Sequence, residues 1–450
     1  MRGFFYLKYL FMPNLPKGHP KLLNAWAFYD WANSVYSLVI ASAVFPIFYE
    51  MIFKEAGRNY VEIFGSRCKD TAMISFVTAL AFLLVAICSP ILSGISDYLG
   101  NKKAFMRFFC YMGGISCVCL YWFDVENLFL SYAAYFMGLI GFWSSLVFYN
   151  SYLPDIAFPE QQDRVSARGF SMGYIGSTLL LILNLAMVMF PDTFGISTAK
   201  EAMKISFVMV GVWWIGFSHI TYYYLPKGNR NNVPLTRDFI FKGFHELGLV
   251  WKQLKQNLPL KRYLYSYFVF IMAVQTVMLI ATYFGATEIS WKDDSQKTMG
   301  LIISILVIQL VAVIGAVITS RASEKFGNIN TLIFLNGFWA VLCAFAYFVE
   351  TPTEFYATAG FVGLVMGGIQ SLARSTYSKL LPETDDTASF FSFYDVTEKI
   401  GIVIGMTIYG TVDLITGSMR NAIVFLGVFF ITGVVLLFRV PKNNSLVNKK

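Results

Sequence analysis

The sequence predicts an all-α polytopic membrane protein: twelve transmembrane helices in two pseudo-symmetric six-helix bundles. Three observations carry this. The 450 residues are 56% hydrophobic, 18% aromatic and only 14% charged, whereas a soluble domain carries roughly 25% charged residues. The apolar residues fall into continuous stretches of about 20, the length of a helix that crosses a bilayer, and not into alternating runs of ten that would suit a barrel. Finally, two sequence elements recur at nearly one offset half a chain apart.

The first 25 residues are basic, but Lys8, Pro13 and Pro16 interrupt the apolar stretch and no small-residue cleavage site follows. No cleaved signal peptide is expected. Spans are then predicted at about 25–52, 71–95, 104–123, 128–153, 167–190 and 203–225. The fourth is weaker because Gly138, Gly141 and paired serines dilute it. Residues 226–262 read as a cytoplasmic linker. Its start, Asn-Arg-Asn-Asn-Val-Pro at 229–234, reads as coil. Phe239, Ile240, Phe244, Leu247, Trp251, Leu254 and Leu258 then recur at helical spacing between Lys242, Lys252 and Lys255. That pattern describes an amphipathic helix on the inner leaflet or against the bundle. Six more spans are predicted at about 263–285, 298–320, 330–349, 355–381, 388–415 and 420–439. The chain thus divides into an N-terminal half (1–225), the linker (226–262), and a C-terminal half with a short tail (263–450).

Loop charges orient the protein. With both termini in the cytoplasm, about 24 Lys and Arg lie inside against about nine outside. The net charge of +8 follows from these basic loops and does not call for a nucleic-acid partner. Of six cysteines only Cys68 lies in a polar loop, so no loop-to-loop disulfide is expected, and the three histidines form no metal cluster.

The repeat supports the division into halves. Ser93-Gly-Ile-Ser96-Asp97-Tyr-Leu-Gly100-Asn101 closes the second span and Ser320-Arg-Ala-Ser323-Glu324-Lys-Phe-Gly327-Asn328 closes the eighth, 227 residues later. Leu153-Pro154-Asp155 closes the fourth and Leu381-Pro382-Glu383 the tenth, 228 later. Parallel duplication of a six-helix unit is a transporter architecture.

The segment from Gly94 to Lys103 resembles the signature between spans two and three of the major facilitator superfamily. Asp97, Gly100, Lys102 and Lys103 match it, while Ser93 stands where that family usually has its first glycine. The resemblance implies that the glycine turns the loop and that the acid holds one access state closed, with Glu324 and Gly327 as the duplicate. A narrower match lies in Trp26-Ala-Phe-Tyr29-Asp30-Trp31-Ala-Asn33-Ser34, in Ala43-Val-Phe-Pro46-Ile-Phe-Tyr49, in Gly367-Gly368-Ile-Gln370-Ser371-Leu-Ala-Arg374-Ser375, and in Phe393-Tyr394-Asp395-Val-Thr-Glu398-Lys399. These resemble the bacterial relatives of the vacuole effluxers, the "unknown major facilitator" branch, over about residues 21–440. The resemblance implies alternating access and, from the fungal members, amino-acid efflux.

Ionisable side chains at bilayer depth cost at least about 2.5–3.5 kcal/mol and tend to face a partner or a wet cavity. With the first helix beginning near Lys21, Asp30 lies about 9 residues in, with Asn33, Ser34 and Ser37 at plus three, four and seven, a stripe of oxygens suited to a proton or sodium ion. A carboxylate stabilising the helix dipole is the plainer reading. Arg374, Asp395, Glu398 and Lys399 are expected at similar depth. They either neutralise one another, with Lys399 at plus four from Asp395, or serve transport: Arg374 holds a substrate carboxylate while Asp395 or Glu398 exchanges protons. Gln370 is a weaker pore-lining candidate, and Gly169-x-x-x-Gly173 with Gly176 and Gly401-x-x-x-Gly405 read as close helix crossings.

No Gly-rich phosphate loop followed by Lys-Ser/Thr occurs, so ATP hydrolysis within this chain is not expected. A membrane-embedded transferase would bring His/Asp or metal-ligand clusters, which the sequence lacks, and no enzymatic activity is expected. It is secondary transport of a small polar solute, with no cofactor beyond a coupling proton or sodium ion. The protein is expected to be monomeric, in the bacterial inner membrane, with the lipid bilayer as its other partner. A cation-coupled sugar symporter and a non-transporting receptor on the same fold stay open as alternatives.

Overall fold

The computed structural model describes residues 15–58, 60–63, 66–227 and 239–441. The coil expected at 229–234 and the basic residues Arg2 and Lys8 lie outside them, as do the side chains of Phe239, Ile240 and Lys242.

Thirteen α-helices follow one another among the described residues, and twelve are long and apolar enough to cross a membrane. The first six spans are α1 (Pro20–Glu55), α2 (Asp70–Tyr98), α3 (Lys102–Cys119), α4 (Leu128–Ile156), α5 (Pro159–Met189) and α6 (Ala199–Tyr224). The amphipathic helix is α7 (Phe239–Gln256). The last six are α8 (Leu258–Glu288), α9 (Asp294–Phe326), α10 (Asn328–Ala346), α11 (Pro352–Leu380), α12 (Thr387–Thr416) and α13 (Met419–Phe438).

Polar ends explain why most helices outrun their apolar cores. The Thr198, Asn257, Asp293, Thr351 and Ser418 side chains cap α6, α8, α9, α11 and α13. At α11, Glu354 reaches back to complete a capping box. Helix α1 begins five residues before its expected start because its entry is tied to the end of α4. Gly18 N donates to Ile156 O at 2.7 Å and Lys17 Nζ to Pro154 O at 2.6 Å.

Two features carry no apolar signature and were not expected. Tyr36–Ala43 within α1 is π-helical. Pro46, three residues past its end, has no N–H to continue the regular ladder, and the Ser42 hydroxyl donates to the Ser37 carbonyl at 2.9 Å. Between α1 and α2, Tyr60–Ile63 (β1) pairs antiparallel with Ser66–Lys69 (β2). At four residues each these strands are too short to show alternation.

The chain packs as two compact units. One comprises Met1–Phe158, Met172–His245 and Asp386–Ser392; the other comprises Pro159–Ser171, Glu246–Asp385 and Phe393–Lys450. The main crossing from one unit to the other, between His245 and Glu246, falls inside the 226–262 segment, and two short segments are exchanged. The start of α5 packs with the second unit and the start of α12 with the first, each drawn there by the hydrogen bonds described below.

Aromatic rings fill the first unit: Trp26, Tyr29, Tyr36, Tyr149 and Trp214 are each at most 1% exposed. Backbone proximity dominates the second, where α9 and α11 cross with Gly363 and Gly367 against the carbonyls of Ile308 and Ala312. The expected glycine crossings are present too, Gly173 and Gly176 lying against Ser34 and Trp31, and Gly405 against Met272 and Thr276.

Candidate functional site

In the first unit, Asp30 sits ten residues into α1, about 15 Å along its axis, and is 5% exposed. Its Oδ2 accepts a hydrogen bond from the Tyr149 hydroxyl of α4 at 2.8 Å. Tyr149 is itself held. Trp26, one turn before Asp30, stacks on its ring at 4.5 Å and donates from Nε1 to its carbonyl at 2.9 Å. Tyr29 packs beside the same ring at 4.9 Å. Asn33 is buried, with its Oδ1 accepting from Ser34 Oγ at 3.4 Å and its Nδ2 without a partner among the described residues. Ser37, the last of the expected stripe, is exposed.

The same unit holds Asp97. Its carboxylate is completely buried and caps the start of α12: Oδ2 accepts from Ser389 N and Ser389 Oγ, both at 2.7 Å, and Oδ1 from Ala388 N at 3.3 Å. An anion at a helix N-terminus satisfies orphan amides and meets the positive end of the dipole. Gly100 turns the chain with a φ of +59°. Lys102 Nζ then reaches Asp155 at 2.9 Å, Asp97 at 3.9 Å, and Thr387 Oγ1. Lys103 does not join them; it donates to Leu225 O at the end of α6 at 2.7 Å.

In the second unit the duplicate is built differently. Glu324 is 41% exposed and pairs at 3.2 Å with Arg164, which is 71% exposed. Gly327 closes α9 with a φ of +82°. The buried acid here is Asp163, from the start of α5. It accepts from Ser323 Oγ at 3.0 Å, Asn328 Nδ2 at 2.8 Å and Lys379 Nζ at 2.5 Å. Sequence reasoning passed over Asp163 because its partners lie 160 to 216 residues away. The repeat pointed to Ser323 and Asn328 without saying what they would hold.

Arg374, 3% exposed, spends its fork on α5: Nε donates to Ser166 Oγ at 2.9 Å and Nη2 to Ser166 O at 3.0 Å. Its guanidinium lies 4.2 Å from the Phe170 ring centre. Lys399 pairs with Asp395 at 2.8 Å, one helical turn apart, and lies 3.7 Å from Glu398, which accepts from Gln275 Nε2. Tyr394 is stacked on Tyr267 at 4.1 Å, with Tyr377 tilted against it at 4.8 Å. Gln370 is half-buried on α11, one turn before Arg374. Of the predicted charged group, the structure therefore joins Asp395, Glu398 and Lys399, and gives Arg374 a partner of its own in Ser166. Among the described residues, no group of three or more His, Cys, Asp or Glu side chains could hold a metal ion.

Comparison with known proteins decides the family. The model of the family described as "Vacuole effluxer Atg22 like" matches residues 18–450. The chain belongs to this Atg22-like family. The MFS-type transporter YxiO of Bacillus subtilis is 32% identical over 95% of this chain and 97% of its own. Autophagy-related protein 22-1 of Phaeosphaeria nodorum is 22% identical, covering 92% of this chain and 89% of its own. Among solved structures, the proton:xylose symporter XylE superposes with a TM-score of 0.68 at 11% identity, covering 94% and 96% of the two chains. The E. coli fucose:proton symporter FucP gives 0.67 at 13%, covering 94% and 98%. At such identities the likeness is one of fold, the twelve-helix fold of the major facilitator superfamily. This Atg22-like protein is thus a multi-pass membrane transporter for a small solute, not an enzyme.

Proposed function

We propose that this Atg22-like protein is a cation-coupled secondary transporter of the cell membrane, with both termini cytoplasmic, that exports a small polar solute by alternating access. An amino acid is the favoured cargo. The single observation that carries the coupling is Asp30: a buried carboxylate about 15 Å inside the first span, held by the phenol of Tyr149 at 2.8 Å. A charge so placed is expensive unless it is periodically relieved, and a proton or sodium ion at Asp30 relieves it. Direction follows the family description, an effluxer, and orientation follows the basic residues of the inside loops.

The sugar reading has support from the names of XylE and FucP, but the rings beside Asp30 count against it. Trp26 and Tyr149 are stacked on each other and wholly buried, so neither presents a face to a pyranose.

The test is uptake of labelled amino acids and sugars into proteoliposomes under imposed proton and sodium gradients. Asp30→Asn is expected to abolish gradient-driven accumulation while leaving part of the equilibrium exchange. Unchanged accumulation would remove Asp30 from the coupling role. A thermal-shift screen names the cargo: a ligand at about 100 times its Kd stabilises the native state by about 2.7 kcal/mol.

A further inference from the structure

The acid–base group on α12 has an oxygen left over. Asp395 is 94% buried by its 6% exposure, and Lys399 is buried to 1% exposure. Lys399 occupies Oδ1 of Asp395 at 2.8 Å. The other carboxylate oxygen, Oδ2, is buried and has no hydrogen-bond partner among the described residues. One ammonium also serves two carboxylates, since Glu398 Oε2 stands 3.7 Å from Nζ. Glu398 has a second hold, the amide of Gln275 on α8.

Two neighbouring helices contribute groups, and α7 packs its Trp251 on Phe393 one residue before Tyr394. Tyr267 and Gln275 come from α8, Tyr377 and Arg374 from α11, and Tyr394 from α12 itself. Arg374 supplies a positive field to Tyr394 and donates to Ser166, and it gives no hydrogen bond to the spare Asp395 oxygen. An ionised carboxylate oxygen shut away without a donor is costly, and a neutral carboxylic acid is much less so. The spare oxygen has no surface open to a larger ligand.

We infer that Asp395, Glu398 and Lys399 form a second, independent proton site in the C-terminal half, with Asp395 Oδ2 as the atom protonated. A proton from water bonds to Oδ2, and the carboxylate becomes a neutral acid. Lys399, keeping its own three protons, loses its charged partner and turns to Glu398, which Gln275 holds in place. Release of the proton to water restores the Asp395–Lys399 pair. The trio carries one negative charge before uptake and none after.

This inference does not rest on Asp30 being the coupling residue, and the test keeps the two apart. Purified protein in nanodiscs is titrated while infrared difference spectra follow the carbonyl stretch of protonated carboxylic acids, and a pH-indicator dye counts the protons bound. The wild type is expected to show a band that Asp395→Asn removes together with one proton, and Asp30→Asn is expected to leave that band and that proton in place. Retention of that band and proton in folded Asp395→Asn overturns the proposal. Should Asp395→Asn fail to fold, Lys399→Met decides: without the ammonium, Asp395 keeps its proton to higher pH and the band's midpoint rises. A midpoint that stays where the wild type has it overturns the proposal equally.

Discussion

Replacing Asp97 with alanine is the cleanest perturbation of the first unit, because it removes a helix cap and strands no cation. Lys102 lies 3.9 Å from Asp97 but 2.9 Å from Asp155, and keeps the latter. What is lost are the acceptors of Ser389 N, Ser389 Oγ and Ala388 N, on residues that are fully buried. Loss of an N-cap costs about 0.5–2 kcal/mol, and loss of a negative charge at the dipole's positive end about 0.3–1 kcal/mol more. The first turn of α12 is thus destabilised by about 1–3 kcal/mol, equivalent to a factor of about 5 to 150 in its opening equilibrium. Hydrogen exchange measured peptide by peptide reads that equilibrium directly. Amides of residues 387–392 are expected to exchange faster by that factor in Asp97→Ala, with the other ends of the spans unchanged. Exchange at the wild-type rate, in protein that melts normally, would refute the assignment of Asp97 as the cap.

The two acids of the second unit predict opposite outcomes. Glu324→Gln breaks an exposed pair and should change stability by less than about 1 kcal/mol. Asp163→Asn leaves Lys379 facing a neutral amide at a buried site, at a cost of about 3–5 kcal/mol for full burial; Lys379 is 23% exposed, which favours the lower end. Melting curves of the two variants should separate clearly, and equal curves would remove Asp163 from this role. Gly367→Leu should destabilise by at least about 1–3 kcal/mol because its side chain meets the Ala312 backbone. The control Gly337→Leu, with open space around its Cβ, should melt like the wild type.

The parts of this fold that were legible in the sequence are those dictated by the solvent. Oil imposes about twenty apolar residues per crossing, and all twelve crossings could be read. Helix α7 was legible because its amphipathic spacing repeats locally, and its start at Phe239 coincides with the first apolar residue of the pattern. The Asp395–Lys399 pair was legible for the same reason, four residues being one turn. Partners drawn from afar left no such trace. Tyr149 lies 119 residues from Asp30, and nothing in its local sequence marks its hydroxyl as that donor. Ser166 lies 208 residues from Arg374, and nothing in α5 marks it as the acceptor of a guanidinium. The 227-residue offset revealed equivalent places in two halves, but equivalence is not contact.

Why the repeat kept its turns and moved its buried acid can be argued from the two helix starts. Helix α12 begins with Thr387, Ala388 and Ser389, all buried, and has no acid in its first turn. Its orphan amides cannot be hydrated there, so an acceptor must come from outside, and Asp97 supplies it. Helix α5 begins with Pro159, which has no N–H to satisfy, and with Glu160 in its first turn, both exposed. That start needs no borrowed carboxylate. The acid of the second duplicate is therefore released from capping, and Glu324 is left on the surface with Arg164. The buried negative charge comes instead from α5 itself, as Asp163, which finds a hydroxyl, an amide and an ammonium in Ser323, Asn328 and Lys379. Each duplicated turn thus joins the start of a helix from the other sequence half through a single carboxylate, and the exposure of that helix start decides which side provides it.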